Sequence, residues 1–184
     1  RRALPRQAPV GDQIEAFDIN YNFDYYFALR SVLRDGAPAI LVRKSWEKMH
    51  ATMPSGARLL HYSDNHDWPR AVMVFGEKGA LAASVLNFTL DGIPFIYNGQ
   101  EVDDPTATAW RKLAPIRWSD AGNRADGEAI EATQSMYKRL FAMRASEPAL
   151  TSGSLTWIDN DQSESVLSFL RKSGNTQILV IVNL

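Results

Sequence analysis

The chain has 184 residues, of which 45% are apolar and 22% charged, and this composition is typical of a globular domain with a real core. A formal net charge of −1 without a basic stripe argues against nucleic acid as a partner, and the absence of cysteine excludes disulfides and thiol chemistry. No apolar run approaches the roughly 18 residues that a membrane helix needs, so we expect no membrane partner, while the compartment stays open.

Alternating strands and helices are predicted over most of the chain, after a surface lead-in at 1–16 that shows no periodicity. The helices are indicated by apolar side chains at three- and four-residue steps, and the strands by short apolar runs. In chain order, the predicted elements are a strand over 17–21, helices over 23–34 and 40–49, a strand over 58–62, a helix over 78–90, a strand over 93–97, a long loop over 102–125 and a helix over 128–145. Such alternation favours an α/β fold with a parallel sheet.

The pattern changes near Gly153. Short strands over 155–158, 166–170 and 178–182 alternate with turn residues and predict an antiparallel meander. We therefore divide the chain into a first domain at 1–152 and the start of a second domain at 153–184. The chain begins without methionine and ends in an apolar strand that would need a partner, so we expect it to be a piece of a longer polypeptide.

Polar side chains directly follow two of the predicted strands. The strand over 58–62 leads into a polar run at 63–70, and the strand over 93–97 leads into another at 98–101. Parallel β/α folds open their functional face at the carboxyl ends of the strands. The two runs therefore suggest a barrel with a site that binds a ligand rich in hydroxyl groups.

These runs carry a resemblance to a known family. Asn65-His66-Asp67 followed by Pro69-Arg70 resembles the fourth sequence region of the α-amylase superfamily of retaining α-glycosidases, and the segment 92–101 resembles the eighth-strand motif of that family. The segments 17–22, 137–150 and 153–184 are similar to its sixth strand, its last barrel helix and the start of its C-terminal β-domain. The resemblance implies about the last three β/α units of a (β/α)8 TIM barrel, followed by the start of an antiparallel β-domain.

The activity implied by this resemblance is hydrolysis of α-glucosidic bonds in starch-like oligosaccharides or small α-glucosides. A retaining mechanism needs two carboxyl groups about 5–5.5 Å apart. We find no match in this sequence to the Asp nucleophile or the Glu general acid of the family. The resemblance therefore predicts that this chain alone is inactive. Since three β/α units cannot close an eight-stranded barrel, we also expect it to self-associate or to be poorly soluble.

Site residues carry over from the family one by one. Asp67 matches the carboxylate that stabilises the transition state, and His66 matches a sugar-binding histidine. Asn65, Trp68 and Arg70 are further candidates for substrate binding. Each has a structural alternative: Asn65 would hold the turn, Trp68 would pack at the rim, and Arg70 would pair with a carboxylate that supports the site.

We expect mainly structural roles for the other polar and aromatic side chains near the strand ends. The groups at 18, 20 and 22 are expected to cap the helix that begins near Phe23, and those at 97, 100 and 101 to support the site beside Asp67. Asp103 and Asp104 are expected to be solvated loop charges, and the alternative is that they line the pocket or bind a cation. The tryptophans at 110 and 118 suit either an outer sugar platform or packing anchors.

No cofactor is evident from the sequence, and calcium enters only because it is common in the family. His61, Asp64, His66 and Asp67 have the side-chain types of metal ligands, but neighbours on a strand alternate faces and their spacing matches no standard zinc pattern. We expect no metal site. Two alternatives stay open at this point, a non-catalytic barrel relative that binds carbohydrate or serves as a scaffold, and a metal-dependent hydrolase.

Overall fold

The computed structural model of the chain describes residues 17–54, 56–106, 115–116, 118 and 127–184. In chain order its elements are β1 (Ile19–Tyr21), α1 (Phe23–Asp35), α2 (Ile40–Thr52), β2 (Arg58–His61), α3 (Ala71–Thr89), β3 (Ile93–Pro94), a 3-10 helix (Gln100–Val102), α4 (Gly127–Ser146), α5 (Pro148–Thr151), β4 (Ser154–Trp157), β5 (Val166–Ser173) and β6 (Thr176–Asn183). The predicted order of strands and helices is confirmed. Most of the predicted loop over 102–125, with Trp110, lies outside the described residues.

The first sheet is parallel and has the order β1-β2-β3. Ile19 pairs with Arg58, and Leu60 pairs with Ile93. Helices α1 and α2 connect β1 to β2, and α3 connects β2 to β3. The three carboxyl ends of the strands therefore lie at one edge of the sheet, as parallel pairing requires.

Local capping positions the first helix against this sheet. Asn22 accepts a hydrogen bond from the Tyr25 N–H at its side-chain oxygen (3.1 Å), and its own N–H donates to the Leu60 carbonyl (3.1 Å). The expectation of helix capping by this asparagine is confirmed. The same residue thus ends β1, begins α1 and ties both to β2.

The second sheet is antiparallel, with the order β4-β5-β6. Its central hairpin extends to a two-residue turn between Ser173 and Thr176, with Gly174 at φ +55°, so β5 and β6 are longer than predicted. Leu167 and Phe169 of this sheet belong to the same buried cluster as the α1 residue Leu29. One hydrophobic core therefore joins the helices of the parallel sheet to the antiparallel sheet.

Helix α3 differs from its prediction. It runs over Ala71–Thr89 instead of 78–90, because Gly76 takes φ 69° and ψ 171° and joins two helical segments across a kink. By length and composition this 19-residue helix could cross a membrane, so the expectation that no segment reaches that length is wrong. Its contacts are those of a core helix, since Ala83 and Leu86 are fully buried in the main cluster.

Two other boundaries also differ. Strand β3 ends at Pro94 instead of 97, because Phe95 makes the last backbone bond to β2, donating to the His61 carbonyl at 2.8 Å, before the chain turns away. Pro148 does not simply close the preceding helix. It begins the short helix α5, a position where its missing N–H costs nothing.

Hydrogen-bonded polar and charged side chains cluster at the amino end of the parallel sheet, and we call the set Trp46, His50, Asp91, Arg144 and Arg171 the amino-end network. The Asp91 carboxylate accepts hydrogen bonds from Trp46 Nε1 (2.6 Å) and binds His50 Nε2 (2.7 Å). Arg171, which is fully buried, donates to the carbonyls of Thr89 (2.7 Å) and Gly153 (2.9 Å). Arg144 donates to the carbonyls of Phe88 and Gly92. The network therefore bonds the loop before β3 to the second sheet.

Candidate functional site

The segments 62–70 after β2 and 95–104 after β3 lie side by side, and we call them together the carboxyl-end site. Gln100 Nε2 donates to Ser63 Oγ at 2.6 Å, and Arg70 Nη2 donates to the Asn98 carbonyl at 2.7 Å. The ring of Tyr21 from β1 contacts the ring of Phe95 with the centroids 5.9 Å apart. The two polar runs found in the sequence thus meet at one edge of the sheet.

Asn65 organises the turn that follows β2. Its side-chain oxygen accepts hydrogen bonds from the N–H groups of Asp67 (2.8 Å) and Trp68 (3.1 Å), and the residue is 2% exposed. An Asx turn of this kind fixes the backbone on which the next side chains stand. This is the structural role weighed for Asn65, and its direct contact with substrate stays a prediction.

His66 and Asp67 project from this turn. Both side chains are about half exposed (51% each), and His66 Nε2 lies 3.4 Å from Asp67 Oδ2. A carboxylate accepts hydrogen bonds only, whereas a neutral imidazole donates at one nitrogen and accepts at the other. Asp67 can therefore accept a hydrogen bond from one hydroxyl group of a ligand, while His66 donates a hydrogen bond to a neighbouring hydroxyl group.

Trp68 packs at the rim of the site. Its ring stacks on Tyr26 of α1, with the centroids 5.1 Å apart and the planes 22° apart, and Tyr26 in turn stacks on Tyr62. Phe27 meets the tryptophan edge-on at 5.7 Å. One face of the Trp68 ring is thus used in packing, and a substrate contact by this side chain stays a prediction.

Arg70 is buried, with 4% of its surface exposed. Its Nη2 donates to Asp104 Oδ2 at 3.1 Å as well as to the Asn98 carbonyl, and its guanidinium lies 4.7 Å from the ring centroid of Tyr97. The carboxylate partner expected for Arg70 is therefore Asp104. Substrate contact by Arg70 stays a prediction.

Asp103 and Asp104 are not the solvated loop charges expected from the sequence. Asp104 is 2% exposed and accepts hydrogen bonds from Arg70 and from the Thr106 hydroxyl (2.6 Å). Asp103 accepts from the Thr133 hydroxyl at 2.7 Å. The physical reason for Asp104 is that the buried guanidinium of Arg70 needs a carboxylate, whereas Asp103 is only partly buried and is held by the Thr133 hydroxyl.

Asp64 is the residue that sequence reasoning missed as part of the site. It is 1% exposed, and its Oδ2 accepts a hydrogen bond from the N–H of Ala71, the first residue of α3, at 3.0 Å. Burial raises the pKa of Asp64 to about 6, against the opposing effects of that N–H and of Arg70. No local signal marks this role, because the sequence predicts that the helix starts at residue 78, whereas Asp64 bonds to the N–H of Ala71, seven residues along the chain.

The two histidines near the end of β2 point to different places. His61 is buried in the helix layer, with its ring centroid 4.7 Å from that of Tyr25, whereas His66 stands half exposed on the turn. Burial lowers the pKa of His61 to about 4. This divergence is what the alternation of side chains along a strand predicts. Over the described ranges, no group of three or more His, Cys, Asp or Glu side chains is arranged to hold a metal ion.

Comparison with known proteins gives a family match. The model of the α-amylase catalytic domain matches residues 14–164. Alpha-amylase 2 of Dictyoglomus thermophilum is 32% identical over 136 residues, which cover 68% of this chain and 22% of that protein. Alpha-amylase MalA of Haloarcula japonica is 27% identical over 179 residues, which cover 93% of this chain and 25% of that protein. The chain thus spans about a quarter of the length of these relatives.

Solved structures share the fold. The noncanonic maltogenic α-amylase AmyB of Thermotoga neapolitana superposes with a TM-score of 0.78 at 24% identity, over 94% of this chain and 39% of that one. The cyclic α-maltosyl-(1→6)-maltose hydrolase of Arthrobacter globiformis gives 0.73 at 24% identity, over 90% and 37%. AmyP, solved in complex with maltotriose, gives 0.75 at 17% identity, over 91% and 40%. At these identities the likeness concerns the fold.

Proposed function

The chain belongs to the α-amylase catalytic-domain family, and from this membership we propose that the whole protein is a glycosidase that cleaves α-glucosidic bonds with retention of configuration. The proposed substrates are starch-like oligosaccharides or small α-glucosides. Support comes from relatives named as α-amylases and from AmyP, which was solved with maltotriose bound. In this proposal the parallel sheet and its helices are part of a (β/α)8 barrel.

The observation that carries the proposal is the pair His66 and Asp67, half exposed on a turn held by Asn65 at the carboxyl end of a parallel strand. The Asp67 carboxylate would accept hydrogen bonds from neighbouring sugar hydroxyls, and His66 would donate one. Bonds of this kind strengthen as the sugar ring approaches its oxocarbenium-like transition state and contribute several kcal/mol. Asp67 is therefore assigned to transition-state stabilisation.

The remaining chemistry is proposed to come from outside this chain. A retaining mechanism needs a nucleophile and a general acid about 5–5.5 Å apart. The family resemblance assigns these roles to an Asp and a Glu on the fourth and fifth strands, and this sequence matches neither motif. We therefore propose that the 184-residue chain alone does not turn over substrate.

The first test is Asp67→Asn in the full-length protein, assayed for release of reducing sugar from maltotriose. Loss of several kcal/mol of transition-state stabilisation corresponds to a fall in kcat/KM of about 100- to 1,000-fold. Asp159→Asn is the matched control, because that carboxylate is 91% exposed and lies after β4, outside the carboxyl-end site. Retention is checked by following the anomeric configuration of the first product by NMR.

Two outcomes would contradict the proposal. A wild-type protein that binds maltotriose in calorimetry but releases no sugar would favour the non-catalytic relative. Inversion in the NMR experiment would exclude the retaining mechanism and leave the glycosidase assignment standing.

Self-association of the isolated chain is a separate proposal. Several large apolar side chains are exposed, among them Phe17 just before the edge strand β1, Ile19 on it, and Leu179 and Ile181 on β6, with 44–64% of their surface accessible. An unpaired strand edge with apolar neighbours favours association. Size-exclusion chromatography of the 184-residue chain tests this, and a monodisperse monomer would contradict it.

A further inference from the structure

We propose that Asp64 is a positioning residue for Asp67, and that together with Arg70 and Asp104 it clamps the turn after β2 to the loop after β3. The proposal rests on the proposed function, since it concerns the same site. It assigns a role in the reaction to a group that does not itself reach the substrate.

Asp64 and Arg70 flank the turn in the sequence and lie close together at its base in the structure. Asp64 and Arg70 stand directly before and after the segment 65–69, which carries Asp67. Arg70 Nη1 lies 3.9 Å from Asp64 Oδ2, so the two side chains close the base of the turn. Asp64 also accepts from the Ala71 N–H, which fixes the start of α3 immediately behind it. The position of Asp67 therefore depends on both ends of a short segment being held.

The other half of the clamp reaches the neighbouring strand end. Arg70 Nη2 donates to Asp104 Oδ2 and to the Asn98 carbonyl, so one guanidinium joins both segments of the carboxyl-end site. Gly99 permits this close approach, because it takes φ +93° and a Cβ there would lie 2.9 Å from Arg70 Nη2. Gln100 adds a second tie by donating to Ser63, the residue before Asp64. The turn is thus held from two strands.

The ionised Asp64 carboxylate is buried and poorly satisfied, which is unfavourable for a residue whose role is purely structural. Its Oδ1 is buried and accepts no hydrogen bond from the described residues. Asp64 lines a cavity of about 10 Å³ with Gln100, Asp104 and Tyr137, which is the room that one water molecule needs. Two buried carboxylates share one guanidinium here, and burial raises the pKa of Asp64. The ionised form therefore lowers stability while it fixes the geometry of the site, the usual trade-off at functional positions.

The test is Asp64→Asn in the full-length protein. The amide keeps the shape and an oxygen for the Ala71 N–H, but it cannot hold Arg70 by charge. We expect the melting temperature at pH 7 to be unchanged or raised, and kcat on maltotriose to fall about 10- to 100-fold with a smaller change in KM, because a displaced Asp67 loses interactions made in the transition state. A structural role alone would lower stability and leave kcat unchanged.

Asp91→Asn is the matched control, since Asp91 is a hydrogen-bonded carboxylate at the opposite end of the same sheet. It should lower the melting temperature and leave kcat unchanged. Asp104→Asn removes the second carboxylate from Arg70 and should reproduce the kcat loss, with the double variant less than additive. If Asp64→Asn does not fold, Asp104→Asn carries the same test.

The outcomes separate this proposal from the function on which it rests. Unchanged kcat in Asp64→Asn, or a kcat loss that follows a loss of stability, overturns the clamp. A wild-type protein without hydrolytic activity overturns the proposed function instead. In that case the crystal structure of full-length Asp64→Asn decides, because an unmoved Asp67 carboxylate overturns the clamp and a displaced one supports it.

Discussion

Asp91 and Asp64 are carboxylates at opposite ends of the parallel sheet, and their pKa values are shifted in opposite directions. At the amino end, burial raises the pKa of Asp91, but hydrogen bonds from His50 and Trp46 outweigh it and hold the pKa below its usual value. At the carboxyl end, burial dominates and raises the pKa of Asp64 to about 6. Hydrogen bonds of the amino-end network satisfy the Asp91 carboxylate, whereas the carboxyl-end site keeps a buried Asp64 oxygen that accepts no hydrogen bond from the described residues, beside the half-exposed His66 and Asp67. Hydrogen bonding of the two carboxylates, more than residue type, therefore distinguishes the two ends of the sheet.

Of the substitutions that test this contrast, Arg70→Met should lower the free energy of unfolding the most. The substitution replaces the guanidinium by a shorter apolar side chain and leaves Asp64 and Asp104 buried without this cation, and breaking a buried ion pair on one side costs about 3–5 kcal/mol. Urea unfolding of the full-length protein measures this. Arg43→Met is the control: its partners Glu47 and Asp159 have side chains 46% and 91% exposed, so the change should stay within about 1 kcal/mol. Equal effects of the two substitutions would contradict the clamp as a buried unit.

Protonation of His61 should cause much of the loss of unfolding free energy at acid pH. Its two ring nitrogens have no hydrogen-bond partner among the described residues, and burial lowers its pKa from about 6.5 to about 4. The folded state therefore favours the neutral ring, and stability is lost as pH falls from about 6.5 towards 4, by about 3 kcal/mol in all. The measurement is the free energy of unfolding against pH for the wild type and His61→Phe. An unchanged acid slope in the variant would rule out His61 as its source.

Local chemistry explains which parts of this fold the sequence predicts. The capping by Asn22 and the turn made by Asn65 depend on neighbours two or three residues away, and the order of the strands along the chain follows from short apolar runs. Asp103 and Asp104 are adjacent and chemically identical, yet Asp104 is buried against Arg70, a partner 34 residues away that no local pattern reveals. Likewise, two-residue periodicity places Arg171 on the buried face of β5, while its carbonyl acceptors come from distant segments. Burial of charge is decided by tertiary packing, and so the sequence could predict a carboxylate partner for Arg70 without identifying it as Asp104.

Asp64 should oppose His61 in the same pH range. Its folded pKa of about 6 lies above the ordinary value of 3.8, so the protonated form is favoured by folding. The stabilisation is complete below about pH 4 and is lost as pH rises through 6, by about 2–3 kcal/mol. Asp64→Asn removes this term, and the difference in unfolding free energy between variant and wild type should grow in favour of the variant from pH 4 to 7. A constant difference over this range would contradict the buried, unsatisfied carboxylate.

The smallest effect is expected at the His50–Asp91 pair. Burial lowers the pKa of His50, but the hydrogen bond and charge of Asp91 outweigh it and hold the pKa above its ordinary value. The contribution to stability is therefore present below about pH 6.5 and is lost as pH rises through the folded pKa. Because the His50 side chain is 37% exposed, solvent screening limits the contribution to below about 1 kcal/mol. His50→Gln should remove this slope in unfolding measurements between pH 6 and 8 without changing kcat, and a change in kcat would mean that the two ends of the sheet are coupled.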